Sequence, residues 1–495
     1  MSDDQKVERE PIEEHVSMRA KLAYGIANTG HQFLGGTVFG AIDIFYLKLF
    51  GIDPSTVAWS WILFIAWNMI NDPLIGIIEE RTKSDLGRRI PYLRYGAPFY
   101  VISFILVWFP IANTEIGLMW NHLLMLFIFD TIYSMVGLVT YAMPAEMAIT
   151  ARERNSIVIW TTIIGVIGIA GSILIPTIYL GDVPDTRGFR IISIILGIVS
   201  GIAIYLSSFF IKENKYTQIE EPLGFMESIK ETFKNKAFLI VEIVIFATVL
   251  MQNILQGFFV FIFDYIIDID PSEFATYIVI AVLLVIVVLI VYLINKKIES
   301  VGIKKIVILG SLISAFGFGL LMIFGFSYGV NAANKMPVSF GFIPLLFIVG
   351  GLIVYLMTNQ PLMGDCIDKD EILTGKRRET TYSGVNALIT KPAVSLAHYV
   401  FLNIIKLYGY DKNVENPLAQ PESVATGVLI AFSIVPMICL IIAAIVLSFY
   451  PLDGPEWQAE KHRIHRIHIE KEKKYIEYLK KQEELEENRK RLFFI

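Results

Sequence analysis

Apolar runs of about 20 residues, the length that crosses a bilayer, recur along the whole sequence. TIIGVIGIAGSILIPTIYLG and FATYIVIAVLLVIVVLIVYLI are two of them. Marking every such run predicts twelve helices, near residues 21–50, 56–80, 91–113, 118–149, 155–180, 189–211, 237–267, 273–296, 304–328, 338–366, 380–408 and 424–450. The connections between them differ in charge. Those after the even-numbered runs hold Lys and Arg: Arg81, Lys83, Arg88, Arg89 and Arg94 after the second, Arg152 and Arg154 after the fourth, Lys376, Arg377 and Arg378 after the tenth. The odd-numbered connections are poor in base, and one reads IIDIDPSEF. Basic loops stay in the cytoplasm, so the even connections and both termini are expected there.

The pattern also repeats. SDLGRRIPYLRYG follows the second run and ESVGIKKIVILGS the eighth; each reads acid or small residue, glycine, basic pair, next helix. PAEMAITARERNS closes the fourth run and MGDCIDKDEILTGKRRETTYS the tenth, each with an acid ahead of a basic cluster. Two six-helix halves related as parallel repeats are the mark of the major facilitator architecture. The expected fold is thus an all-α membrane protein with twelve transmembrane helices in two six-helix bundles. Residues 1–20 form a cytoplasmic N-terminal segment, 21–211 the first bundle and 237–450 the second. Residues 212–236 form a polar middle loop with a short amphipathic surface helix, and 451–495 a charged tail.

Composition agrees. Of 495 residues 55% are hydrophobic and 18% charged, against about 25% charged in a typical soluble protein. A net charge of −5 makes no case for nucleic acid. Cys366 and Cys439 suggest neither a disulfide framework nor a zinc site. The acidic start, MSDDQKVEREPIEEHVSM, lacks a basic n-region, so the first span itself is expected to direct insertion. His462, His465 and His468 recur every three residues in the tail with arginines between, which favours a solvated helix face over a metal site. No HExxH, GxSxG elbow or P-loop supports a membrane enzyme, and no metal or organic cofactor is expected.

The chemistry lies in polar residues inside the apolar runs, where they are costly and face a bundle interior or an aqueous cavity. In WNMINDPLIGIIEER, Asn68, Asn71 and Asp72 stand at i, i+3 and i+4 and share one helix face. Pro73 frees a carbonyl one turn back, and carboxylate, amide and carbonyl oxygens together suit a small cation. Asn28, His31 and Gln32 repeat the spacing in the first span, for hydrogen bonds to a hydroxylated solute or for core packing. The fourth span offers Asp130, Ser134, Gly137 and Tyr141 on one face with Tyr133 beside it. The seventh offers Gln252, Asn253 and Gln256, and the eleventh Asn386, Thr390 and Lys391. Lys391, near mid-membrane, needs an acid, and Asp72 is the expected partner. Glu80, Arg81, Arg88 and Arg89 can pair across the cytoplasmic ends of the helices as a gate, with Glu146–Arg154 and Asp365 with Arg377 or Arg378 as equivalent latches. Simple topology signalling is the alternative.

NDPLIGIIEERTKSDLGRRIPYL, PAEMAITARERNS, GDCIDKDEILTGKRRET and KLAYGIANTGHQF together resemble motifs of the glycoside-pentoside-hexuronide:cation symporters, the melibiose permease family. The resemblance spans the membrane domain. It implies an alternating-access carrier that couples a cation to sugar movement. By position it matches Asp72 and Asn71 to cation-site residues, Lys391 to the family's lysine in the eleventh span, and Tyr133 and Ser134 to positions near that site. With the polar faces read above, the expected cation-coupling residues are Asp72, Asn71, Asn68, Ser134 and Lys391, and the expected solute-binding residues Asn28, His31, Gln32, Tyr133, Tyr141, Gln256, Asn386 and Lys391. Departures accompany the resemblance: Asn68, Gln32 and Gly137 stand where the family's permease has carboxylates, Tyr141 where it has tryptophan, and Thr162 where it has arginine. One acid beside one lysine makes a neutral site, which favours proton over sodium coupling and leaves room for an anionic sugar. The expected protein is a monomeric, multi-pass carrier in the cell membrane, working on a small solute in the lipid bilayer. The alternative is an uncoupled uniporter or a carrier of a lipid-like solute.

Overall fold

The computed structural model describes residues 16–213, 232–268 and 301–470, apart from positions 149, 182–183, 376–377, 415, 417–418, 455, 465 and 468–469, with scattered positions between 282 and 296. Most of the eighth predicted span and of the middle loop, Arg377, His465, His468 and the tail after 470 therefore lie outside the described residues.

The N-terminal half holds α1 (Met18–Phe50), α2 (Pro54–Arg81), α3 (Ile90–Val107), α4 (Glu115–Met147), α5 (Ala151–Leu180) and α6 (Thr186–Ser207). The C-terminal half holds α7 (Lys236–Gly257), α8 (Phe259–Tyr265), α9 (Ile303–Tyr328), α10 (Val338–Thr374), α11 (Glu379–Leu407) and α12 (Glu422–Ser448). Oxygen-bearing caps start the helices: Ser17, Asp53, Thr114, Thr150, Asp185 and Asn235 each accept a hydrogen bond from an amide of the first turn. Prolines 73, 98, 144, 176, 344, 361, 392 and 436 lie inside helices.

One span departs from expectation. The run 237–267 is not continuous: the chain leaves helical geometry at Phe258 and resumes as α8. It then forms a two-residue strand β1 (Ile267–Asp268), which pairs in parallel with β2 (Met336–Pro337) ahead of α10. The reason is steric. A Cβ at Gly257 would stand 2.7 Å from the His398 ring, so the helix turns where α11 presses against it.

Eleven described helices are long and apolar enough to cross a membrane. Their outward faces are greasy: Tyr95, Phe99, Ile102 and Leu106 make an exposed stripe on α3, and Ile159, Ile163 and Ile167 one on α5. Such stripes suit lipid as the solvent. Within the first half α1 packs on α5 and α6, and α2 and α3 pack on α4. In the second, α9 packs on α10 and α12, and α7 on α11 and α12. Contacts between halves run along α2–α11, α1–α7 and α5–α8. Small residues permit the closest approaches; a Cβ on Gly168 of α5 would fall 2.3 Å from the Thr29 carbonyl of α1.

The glycine–basic repeat has a structural counterpart. Gly87 ahead of α3 and Gly302 ahead of α9 both have positive φ, 108° and 90°, which favours glycine. Glu213, just after α6, accepts hydrogen bonds from the amides of Arg88, Arg89 and Ile90 at 2.7, 2.7 and 2.9 Å. Asp453, just after α12, brings a carboxylate oxygen to 3.2 Å from where a Cβ on Gly302 would stand. An acid that follows the last helix of each half thus meets the chain at the start of α3 in the first and of α9 in the second.

Candidate functional site

At the centre α2, α4 and α11 meet. Asn68, Asn71, Asp130 and Ser134 are buried, and Asp72 and Lys391 nearly so. The Lys391 ammonium lies 3.0 Å from Asp72 Oδ1, 3.6 Å from Asp130 Oδ1 and 3.4 Å from Ser134 Oγ. Asn71 Nδ2 donates to Asp130 Oδ2 at 2.8 Å, to the Asp130 carbonyl at 3.0 Å and to Ser134 Oγ at 2.9 Å. Asn68 Nδ2 donates to the Lys391 carbonyl at 3.1 Å, tying α2 of one half to α11 of the other. Among the described residues, buried Asn71 Oδ1 accepts no hydrogen bond, and buried Asp72 Oδ1 and Asp130 Oδ1 have no partner besides Lys391.

Asp130 changes the charge count on which the proton preference rested. The site is not one acid beside one lysine. Two carboxylates surround one ammonium, so with all three ionised it carries −1. The i, i+4 step to Ser134 put Asp130 on the right helix face, and the packing of α4 on α2 brings it to the lysine.

His31 of α1 joins through aromatic contact. Its ring stacks on Tyr133 at 4.6 Å and its Nδ1 lies 3.2 Å from Tyr100 Oη; Lys391 lies 5.9 Å from the Tyr133 ring centroid. A Cβ on Gly137 would stand 3.1 Å from His31 Cε1, so His31 takes the space a side chain there would need. Asn28 and Gln32 face α5 instead, against Gly165 and Gly168. Gln256 lies beside Gly36 of α1, away from Lys391. Tyr141, near the C-terminal end of α4, is exposed and exchanges hydrogen bonds with Gln360 of α10 at 2.9 and 2.6 Å. The Asn386 amide, turned to donate, reaches both carboxylate oxygens of Glu242 at 3.2 Å. Glu242, buried on α7, borders a cavity of about 330 Å³ whose other walls are Leu239, Ile243, Phe246 and Ile389. Glu242 was not singled out from the sequence, although a lone acid in KAFLIVEIVIF is itself a signal.

The arginine loops pair differently from the gate expected of them. Arg89 Nη1 donates to Glu79 at 3.0 Å, and Arg88 Nη2 and Arg89 Nε both donate to Glu146 at 3.1 Å. Glu79, not Glu80, is the buried acid, because its side chain points into the bundle while Glu80 is half-buried and Arg81 exposed. Arg154 Nε donates to the Ala148 carbonyl at 2.8 Å. Arg378 pairs with Asp370, and Asp365 with Lys461 of the tail at 2.5 Å. These bonds each stay inside one half. The tail is accordingly a packed element at its start: residues 456–464 are helical and Trp457 and Ile464 are buried.

The opposite end, where α1 gives way to α2, bridges the halves. The buried Lys48 of α1 pairs with Asp264 of α8 at 2.6 Å and donates to the carbonyls of Leu180 and Gly181 at 2.9 and 2.8 Å. Asp53 pairs with Lys406, and Glu115 with Lys412 at 2.5 Å. The bond to Glu115 holds the Lys412 ammonium above the usual lysine range. Asp43 of α1 meets His398 of α11 at 2.6 Å.

The profile of the family described as MFS/sugar transport protein matches residues 23–454. The isoprimeverose transporter of Lactiplantibacillus pentosus is 22% identical over 447 residues, 88% of this chain and 89% of that one. The sodium-dependent lysophosphatidylcholine symporter 1 of Gallus gallus is 24% identical over 272 residues, 47% of this chain and 51% of that one. Among solved structures, the inward-open xylose transporter XylE from E. coli superposes with a TM-score of 0.59 at 13% identity, covering 87% of this chain and 95% of its own. That likeness is one of fold: the major facilitator fold.

Proposed function

The chain belongs to the MFS/sugar transport protein family, and from that premise we propose that it is a cation-coupled carrier of a sugar or glycoside, with Lys391 as the resident stand-in for the coupling cation. One observation carries the reading: the Lys391 ammonium sits among Asp72, Asp130 and Ser134, and is, among the described residues, the one partner of the buried Asp72 Oδ1 and Asp130 Oδ1, beside an Asn71 Oδ1 that accepts no hydrogen bond. A cation entering there competes with the lysine for the same oxygens. Its arrival frees Lys391 for the solute, and its departure lets the lysine return. Asn71 orients Asp130 and Ser134, and Asn68 transmits the state of α2 to α11 through the Lys391 carbonyl. His31, Tyr133 and Tyr100 offer the adjoining aromatic wall on which a sugar ring stacks.

The base-rich end is assigned to the cytoplasm with both termini, and the carrier to the cell membrane, as a monomer. Bridges at the far end and within-half pairs at the base-rich end support a cytoplasm-facing state of an alternating-access cycle.

A second reading, a lysolipid-like solute, draws on the cavity beside Glu242, whose other walls are apolar, and on the relative named for lysophosphatidylcholine.

Uptake into liposomes holding the purified protein tests both. Neutral sugars, acidic sugars and lysolipids are offered under a proton gradient, a sodium gradient or neither. Cation-driven sugar uptake lost in Asp72→Asn supports the proposal, and the gradient that drives it identifies the ion. Uptake of lysolipid alone moves the assignment to the second reading. Sugar uptake that is indifferent to both gradients and to Asp72→Asn removes the coupling.

A further inference from the structure

A second titratable cluster lies between the central site and the far end. Asp43 and His122 each stand seven residues, about 10.5 Å at 1.5 Å per residue, from the end of α1 and the start of α4 respectively. Both are buried, as is His398 of α11. Three donors converge on one carboxylate: Trp61 Nε1 at 2.8 Å and His122 Nε2 at 3.1 Å on Asp43 Oδ1, and His398 Nδ1 at 2.6 Å on Oδ2. The His398 ring also stacks on Trp61 at 3.9 Å, so this α11 residue lies between Trp61 of the other half and Gly257 and Phe258 of its own.

The hydrogen bonds assign the protons. Ser60 has one hydroxyl hydrogen and donates it to the Val57 carbonyl at 2.6 Å. Its oxygen then accepts from His122 Nδ1, 2.7 Å away. An ionised Asp43 carboxylate can only accept, so His122 Nε2 donates as well. In this arrangement, one of the two that the Ser60 hydroxyl allows, His122 holds a proton on each ring nitrogen opposite the Asp43 carboxylate. His398 Nε2 is buried with no partner; as a bare lone pair it costs less than an orphaned N–H, so His398 is neutral with its proton on Nδ1. On the packed elements Lys48 is paired with Asp264 and Asp53 with Lys406; Glu242 of α7 faces the Asn386 amide; Tyr46 meets His122 edge to face.

We propose that the Asp43–His122–His398 cluster is a proton-binding site, separate from the Asp72–Lys391 centre, whose proton on His122 holds the far face sealed. Loss of that proton leaves Asp43 as an uncompensated buried charge, and parting of the halves admits water to it. The sealed state binds the proton more tightly than the open one, so sealing is favoured at low pH and lost as pH rises. The inference rests on the alternating-access reading and adds a pH sensor to it.

The test measures the far-face gap directly and needs no solute. Single cysteines at the exposed Ile111 and Leu407, in full-length protein with Cys366 and Cys439 replaced, carry spin labels across the far face in liposomes. Between pH 5.5 and 9 the sealed-to-open ratio is expected to fall by up to about tenfold per pH unit, the limit for one proton. His122→Gln abolishes the slope, and Ser60→Ala, which removes the acceptor for His122 Nδ1–H, lowers the midpoint by about one unit. Two distances whose ratio ignores pH, or a slope unchanged in His122→Gln, overturn the inference and spare alternating access. Should His122→Gln fail to fold, an unmoved midpoint in Ser60→Ala overturns it equally. A single distance under every condition overturns both.

Discussion

The two ends of this molecule handle charge in opposite ways. At the far end four pairs join different halves, Lys48 with Asp264, Asp53 with Lys406, Glu115 with Lys412 and Asp43 with His398, while Asp43 also meets His122 of its own half. At the base-rich end the pairs named above stay within a half, as in Arg89 with Glu79 and Glu146, Arg378 with Asp370, and Asp365 with Lys461. A contact there that does cross, among the described residues, is the exposed Tyr141–Gln360 pair. A pair inside a rigid bundle survives a rocking motion, whereas a pair between bundles is made and broken by it. The far end therefore reports the state of the carrier, and the base-rich end maintains the shape of each half.

Substitutions can break or sharpen that contrast. Lys48→Met should act most strongly, because it strands the buried Asp264 and two carbonyls. A cost of about 3–5 kcal/mol falls on the sealed state, so the 111–407 distance should shift to its long population by at least about a hundredfold in ratio. Lys48→Met with Asp264→Leu should recover most of that loss. Asp130→Asn comes next: it takes the central site from −1 to neutral, and the cation concentration for half-maximal uptake should rise about 10- to 100-fold, about 1.5–3 kcal/mol for a hydrogen bond to a charged group. Glu146→Gln should lower thermal stability by about 1–3 kcal/mol yet leave the far-face ratio unmoved; a shifted ratio would break the contrast. Lys406→Ala should do least, about 0.2–1 kcal/mol for an exposed pair, read as less than about a fivefold change in the same distance ratio.

Much of this could be read in advance where one residue announces its own cost. A carboxylate or lysine in an apolar run must face the interior, which was enough to single out Asp72 and Lys391. Glycine before a basic pair marked the joints that Gly87 and Gly302 form. The rest depended on geometry between distant segments. Asp43 and His398 are 355 positions apart, and nothing in either run names the other. Glu79 and Glu80 are adjacent in sequence but about 100° apart around a helix of 3.6 residues per turn, so choosing between them requires knowing which way α2 faces. The arginines announced an end of the molecule without saying whether their partners lay in the same half. Asp130 was visible on its helix face, but its place beside Lys391 follows from how α4 lies on α2 and α2 on α11.

Lys391 has a kinetic consequence as well. An ammonium fixed to the backbone never diffuses away, and such tethering corresponds to an effective concentration of at least the millimolar range. In the cycle proposed above, an incoming cation meets a competitor whose supply does not vary with either compartment. Its apparent affinity is thereby held below its intrinsic one, and each departure is hastened by a lysine waiting to rebind. A carrier built this way trades tight capture for fast unloading, and its speed depends on the length and freedom of a single side chain.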